Sequence, residues 1–432
     1  MKQKWQLIIF CLVHALILLV LFNSALYDNT ALEYDIARFF NYSSRIVEGQ
    51  LPYQDFAVEY PPLTLVFFTL PRLVAPSLGI YQYAFAVEIL LFDLLGLFLI
   101  SALSRRLGLH LTGTLAIYTL ALLAIGPILI YRYDLIPAIM VLLALYTFSQ
   151  NKHKLSWAIL AVGAMTKIYP AVIAPIFLIY QFCHRRYRHI ISGAAAFVIV
   201  TAIIVILGLL LSPDGFWDSF RYQAQRGLHA DSTYSSFLLL GHTLGLTQVR
   251  LGFVGLIPLS LDIVSPITDM LAKVSPLVIL FSLAAVYWFF YKSQSGRAVA
   301  PKTLSPITKP DATYIIHYSL LAILAFMVTN KVFSPQFIIW LYPLIPLVAG
   351  RWRRTSWLMF IMIGLMTYFI YPTAYGGLIQ YHPIVISILF LRNVSLIILA
   401  FLLPSVGNRL QPNRVRRATG AIVSSKLGLC KS

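Results

Sequence analysis

Three carboxylates follow the first apolar run of the chain at short intervals: Asp35, Asp55 and Glu59, the last opening the element Glu59-Tyr60-Pro61-Pro62. Paired prolines stiffen the backbone and hold the residue before them extended, so these acids are expected at a fixed height above whatever lies beneath. A carboxylate at a lipid–water boundary, partly desolvated yet close to cations, is suited to deprotonating a hydroxyl. The competing reading is an interface-lying helix with ordinary solvated acids. A second polar stretch, residues 212–236, carries Asp214, Asp218, Asp231, Arg221, Arg226 and His229. His229 has the chemistry to donate a hydrogen bond to a phosphate or sugar, although a lone loop histidine is more often solvated. No histidine pair on the external face has metal-ligand spacing, and the chain has no glycine-rich phosphate loop or nucleophile motif. Neither a metal nor a cofactor is expected.

The elements that must position these groups are apolar. The 432 residues are 59% hydrophobic and 11% charged, with a mean hydropathy of +0.81, which excludes an ordinary soluble chain. A net charge of +18 would suggest nucleic acid in a soluble domain, but the Lys and Arg residues sit in short clusters between apolar runs. That is the pattern of cytoplasmic loops, and no nucleic-acid partner follows from it. Cys11, Cys183 and Cys430 fall in an apolar run, a basic loop and the basic tail, so no disulfide framework is expected. The stretch from Leu7 to Leu26 is long and lacks a small-x-small cleavage site, and it reads as an uncleaved first span.

Apolar segments at 7–26, 81–103, 112–130, 135–149, 155–166, 169–182, 190–211, 276–291, 312–329, 336–350, 356–372 and 383–403 predict about twelve crossings of a bilayer. The basic clusters Lys2/Lys4, Arg105/Arg106, Lys152/Lys154, Arg185/Arg186/Arg188, Lys292 to Lys309, Arg351/Arg353/Arg354 and Arg409 to Lys431 all fall on one side of that alternation. This predicts a cell-membrane protein with both termini cytoplasmic. Segments 61–78 and 237–264, interrupted by Pro and Gly, are left as re-entrant, interfacial or an extra pair of crossings. The expected organisation is an all-α transmembrane bundle over 1–408, with external loops 27–60 and 212–236 at the working face, and a basic cytoplasmic tail over 409–432. The first loop holds Asp28, Glu33, Asp35, Glu48, Asp55 and Glu59 of the chain's 15 acids. Acids contribute little to orientation, so topology alone does not explain them there.

The order Asp35, Gly49-Gln50-Leu51-Pro52-Tyr53, Glu59-Tyr60-Pro61-Pro62-Leu63 resembles the first external loop of glycosyltransferase family 87, within the GT-C superfamily of membrane glycosyltransferases. Two later segments add to the likeness: Tyr131-Arg132-Tyr133-Asp134, and Asn330-Lys331-Val332-Phe333-Ser334-Pro335-Gln336 followed by Trp340 and Pro343. The resemblance implies a GT-C fold and an inverting enzyme that moves a hexose, typically mannose, from a polyprenyl-phosphate carrier to a glycan or glycolipid hydroxyl on the external face. It implies that Asp35 is the catalytic base. Glu33 and Asp35 are separated by Tyr34, so the doubled acidic motif of some GT-C relatives is not clearly matched.

Such chemistry asks for cations, because a polyprenyl-phosphate leaving group gains charge as the glycosidic bond breaks. Arg132, Lys167, Arg221, Arg226 and Lys331 are the candidates, with His229, Gln336, Asp55, Glu59 and Tyr60 as further substrate-binding candidates. Lys167 lies between two short apolar runs, in Met165-Thr166-Lys167-Ile168-Tyr169-Pro170, where it needs a partner or an aqueous cavity, or else snorkels to the interface. Arg392, inside the last apolar run, poses the same question, with a structural pairing to Glu88 or Asp93 as the alternative. The rival reading is a transporter or lipid-glycan flippase. Those tend to show paired halves with matching broken helices, a symmetry this sequence lacks.

Overall fold

The computed structural model describes residues 2–26, 30–254, 260–295 and 306–403. The basic tail 409–432 and the centre of the Lys292–Lys309 connector lie outside the described residues. The chain is a bundle of helices: α1 Lys2–Leu26, α2 Thr30–Val47, α3 Pro62–Arg72, α4 Leu78–Leu107, α5 Leu111–Ile125, α6 Leu135–Ser149, α7 His153–Thr166, α8 Ala174–Cys183, α9 Tyr187–Leu211, α10 Pro213–Gln225, α11 Thr233–Thr243, α12 Thr268–Ser295, α13 Lys309–Thr329, α14 Arg353–Tyr368, α15 Tyr375–Ile379 and α16 Pro383–Leu402. Three short strands, β1 Leu228–His229, β2 Arg250–Val254 and β3 Ser260–Val264, form one antiparallel sheet in the order β1-β3-β2.

Among the described residues eight helices are long and apolar enough to cross a membrane: Lys4–Ser24, Leu78–Leu107, Leu111–Leu129, Tyr187–Leu211, Thr268–Ser295, Lys309–Thr329, Arg353–Thr373 and Pro383–Leu402. This is a multi-pass membrane protein, but with fewer full-length spans than the twelve expected. The other apolar segments are short: α6, α7, the stretch Tyr169–Cys183 and the turns of 335–347. At 1.5 Å per residue, the 14 residues of α7 rise about 21 Å, short of a hydrocarbon core about 30 Å thick. Hydropathy registers apolar content, not whether protein encloses a segment, and enclosed segments tolerate broken helices at membrane depth. Nearly all of α6 and the turns of 335–347 are enclosed in this way. Among the described residues, neither ambiguous segment holds a helix long enough to cross. The first folds as α3, only 11 residues long, and the second as α11 with the sheet.

Local chemistry sets where the elements begin and end. Thr308 and Asp311 form a reciprocal capping box that starts α13, and Ser212 accepts from the Gly215 N–H at 3.3 Å to start α10. Lys167 ends α7 in an extended conformation, three residues before Pro170. At one end of the bundle the basic connectors meet. There Arg106 donates to the Ile307 carbonyl at 3.0 Å, Arg186 to Asn151 at 3.1 Å and Tyr180 to Asp311 at 3.5 Å. The acidic loop and the sheet lie at the other end, around a cavity.

The intramembrane ionisable groups find partners other than those expected. Asp93 of α4 pairs with His14 of α1 at 2.6 Å and accepts from the Tyr342 hydroxyl at 3.0 Å. Arg392 of α16 is fully buried and reaches neither Glu88 nor Asp93. It donates to the Asp231 carbonyl at 2.8 Å, lies 3.8 Å from the Asp231 carboxylate, and sits over the Phe333 ring. Asn393 donates to the carbonyls of Asp231 and Ser232, so α16 holds the whole turn between β1 and α11. Sequence distance concealed this partner, because Asp231 lies outside every apolar run.

Candidate active site

Helix α2 lies across the acidic end of the bundle. It buries Leu32, Ile36 and Phe39 on one face, as its amphipathic pattern demands, and turns Asp35 and Arg38 toward a cavity of about 700 Å³. Phe39 stacks on Phe68 of α3 at 4.0 Å, and Tyr60 packs edge-on against both Phe68 and Tyr133. This aromatic block fixes the height of Asp35 and Glu59. The Tyr53 hydroxyl donates to the Tyr60 carbonyl at 2.6 Å, tying the Gly49–Tyr53 turn to the Pro-Pro element.

Charges line the cavity in pairs. Arg132 contacts the Asp35 carboxylate directly and donates to the Tyr371 hydroxyl at 2.6 Å. Arg38 is bound to Glu59 and stands 3.9 Å from Asp35. Deeper, Lys167 donates to Asp134 at 2.5 Å, and the Trp340 indole N–H donates to the same carboxylate oxygen at 2.7 Å. Toward the opening, Lys331 donates to the Ala224 carbonyl at the end of α10 at 2.7 Å. Arg226, Tyr222 and Gln223 complete that wall.

Burial, then the neighbouring Arg226 guanidinium, pushes the His229 imidazole down to about 3, so it is neutral at physiological pH. Its Nδ1 accepts from the Asp231 backbone N–H at 3.3 Å, which leaves the ring proton on Nε2. The His229 backbone N–H donates to the Lys331 carbonyl at 3.0 Å. Burial pushes the Asp231 carboxyl up to about 6, against the opposing pull of Arg392. Burial and the Arg226 charge both lower the Lys331 ammonium.

Of the sequence candidates, Asp35, Glu59, Tyr60, Arg132, Lys167, Arg226, His229, Lys331 and Gln336 all line this one cavity. Asp55 and Arg221 do not. Asp55 accepts from the Leu51 N–H at 2.7 Å and closes its own turn, while Arg221 pairs with Asp218 at 3.0 Å on the solvent side of α10. Sequence reasoning missed Arg38, Asp134, Trp340 as a polar contact, Tyr371 and Tyr375. Arg38 was discoverable, because it lies one helical turn from Asp35 on the same face. Tyr371 and Tyr375 carry no comparable signal.

The family model of glycosyltransferase family 87 matches residues 58–305. The chain belongs to glycosyltransferase family 87. The matched region of this family 87 protein includes Glu59, Tyr60, Arg132, Lys167, Arg226 and His229, whereas Asp35 and the segment 330–336 lie outside it. No curated protein matches the sequence. Among solved structures, the crystal structure of ArnT from Cupriavidus metallidurans in the apo state is similar at a TM-score of 0.44 and 14% identity, over 90% of this chain and 74% of that one. The family 87 protein is thus a multi-pass membrane glycosyltransferase, with the ionisable side chains of its cavity gathered at one end of the bundle.

Proposed function

We propose that this protein transfers a hexose, mannose in the first instance, from a polyprenyl-phosphate carrier to a hydroxyl of a glycan or glycolipid at the external face of the cell membrane, with inversion. The observation that carries the reading is Asp35 on the wall of a cavity of about 700 Å³ that also gathers Arg132, Arg226 and Lys331. That volume is within the range of small-molecule sites. The carboxylate takes the acceptor proton as the hydroxyl attacks the anomeric carbon, and the phosphate departs on the opposite side, where fixed cations offset its growing charge. A single displacement inverts the configuration. Arg132 holds the Asp35 carboxylate in the cavity until acceptor arrives. The basic end of the bundle faces the cytoplasm, following the usual bias of Lys and Arg, which puts both termini inside and the cavity outside.

The lipid donor is inferred from architecture. A donor whose prenyl chain stays in the bilayer presents only a phosphate and a sugar to a cavity at the membrane surface, whereas a nucleotide sugar needs a site for the base as well. No cofactor has a role in this mechanism. Purified protein in liposomes should transfer labelled mannose from polyprenyl-phosphate mannose, with chelator present, to an added glycolipid acceptor, as read by thin-layer chromatography. Transfer directly from GDP-mannose, with the lipid donor inert, would overturn the mechanism and leave the fold untouched.

A further inference from the structure

The deep end of the cavity does not have the electrostatics of a phosphate site. Lys167 is the residue at which α7 stops, about 21 Å along the helix axis from the basic end and therefore within the depth of a hydrocarbon core about 30 Å thick. Its charge is compensated there by Asp134, whose side chain is 0% exposed. A phosphate drawn to Lys167 would also meet that carboxylate. The cations nearer the opening, Arg226 and Lys331, have better access to a headgroup that enters from the membrane surface.

Around the Lys167 ammonium stand three aromatic rings: Tyr133 at 4.7 Å, Phe337 at 5.3 Å and Trp340 at 5.4 Å. Trp340 is held rigidly, stacked between Tyr169 at 4.1 Å and Phe337 at 3.9 Å, with its N–H fixed on Asp134. One ammonium N–H goes to Asp134, which leaves donors for a ligand. The second Asp134 oxygen, Oδ2, is buried without a hydrogen-bond partner, and Asp134 lies behind the cavity wall, so its carboxylate acts on the cavity through Lys167. An apolar wall of buried rings with a few fixed polar atoms suits a sugar, whose C–H groups meet ring edges while its hydroxyls take directed hydrogen bonds.

We propose that Lys167, Asp134 and Trp340 form the subsite that reads the hydroxyls of the transferred hexose, with Lys167 donating to one ring hydroxyl and Asp134 positioning Lys167. This rests on the glycosyl-transfer reading above and adds where and by what groups the sugar is selected. A site built to hydrogen-bond a hydroxyl discriminates strongly against an analogue that lacks it, because its own polar groups are then left unpaired.

The test compares polyprenyl-phosphate mannose with its epimers and its monodeoxy analogues, using the full-length protein in liposomes. Wild type should lose about 100-fold or more in kcat/KM for the deoxy analogue missing the hydroxyl that is read. Lys167→Met should lose a similar factor on the parent donor and show almost no further loss on that analogue. Inhibition by polyprenyl phosphate alone should stay within about twofold of wild type in Lys167→Met, which also shows that the variant is folded. Asp134→Asn should narrow the discrimination between epimers while keeping the same inhibition. A parallel loss of polyprenyl-phosphate inhibition in Lys167→Met and Lys167→Arg, or equal losses on every deoxy donor, would make Lys167 a phosphate ligand or a merely structural residue and overturn the proposal. Wild type that transfers from none of these donors overturns the underlying reading, and does so before any variant is made.

Discussion

Asp35 and Lys331 stand on different parts of the same cavity wall, and their chemistry separates in mutagenesis. Asp35→Asn keeps the shape of the side chain and a contact for Arg132 but removes the base. Turnover should fall by roughly 10²–10⁴ with normal membrane insertion, measured by initial rates on protein matched for expression. Near-normal turnover would move the base to Glu59, the other carboxylate on the cavity wall. Lys331→Met should lower kcat by roughly 10²–10³ and Lys331→Arg restore part of it, if charge offsets the departing phosphate. The titration of His229 and Asp231 makes a separate prediction. The folded His229 binds its proton only below about 3, so from its ordinary value near 6.5 downward the unfolded chain holds the extra proton and stability falls with falling pH. Asp231 works in the opposite sense: between its ordinary 3.8 and about 6 the folded chain holds the extra proton, so stability falls with rising pH. The two nearly cancel between about pH 4 and 6. In His229→Gln the Asp231 contribution is uncompensated, and the melting temperature in detergent should drop as pH rises from about 4 to about 6. A profile parallel to wild type would sink this account.

Among the elements, α1 poses a question of attachment. Much of its surface, including Trp5, Ile9, Leu12 and Leu16, is exposed to what would be lipid, and lipid tails give no hydrophobic drive for one helix to leave them for another. His14 answers it by bonding Asp93 of α4 at 2.6 Å and Thr119 of α5 at 2.8 Å, both inside the bundle. His14→Leu should therefore cost about 1–2 kcal/mol in a denaturation series in mixed micelles, the range of interhelical polar contacts in membranes. The Asp93→Leu change should add little on the His14→Leu background. Full additivity of the two changes would show that they do not act together. The same cluster reaches the site, because Tyr342, which donates to Asp93, follows Trp340 by two residues in one run of tight turns.

At the scale of the molecule, the basic and acidic ends divide the labour. Connectors rich in Lys and Arg meet at one end, and the cavity opens at the other, so one labelling experiment tests the orientation of the whole. On a background with the native cysteines replaced by serine, Asp218→Cys should react with an impermeant thiol reagent in intact cells. Arg188→Cys should react only after permeabilisation. Both positions are exposed, so access is not limiting. The reverse pattern would invert the protein in the membrane and place the cavity in the cytoplasm.

The sequence by itself determined what can be read locally. Apolar runs located the long membrane helices, and the order of short motifs from Asp35 to Gln336 pointed to the family and to part of the cavity wall. Those signals are legible because hydropathy and motif spacing act over a few residues. Only the tertiary structure decided which apolar segments are full spans, since enclosure by other helices leaves no mark on hydropathy. It alone paired Arg392 with Asp231 and Asp93 with His14, and it placed Asp134 beneath Lys167. Those partners are 161, 79 and 33 residues apart. A buried charge must be compensated, but composition does not say by whom. The partner is set by which helices pack together, and that is a property of the folded bundle.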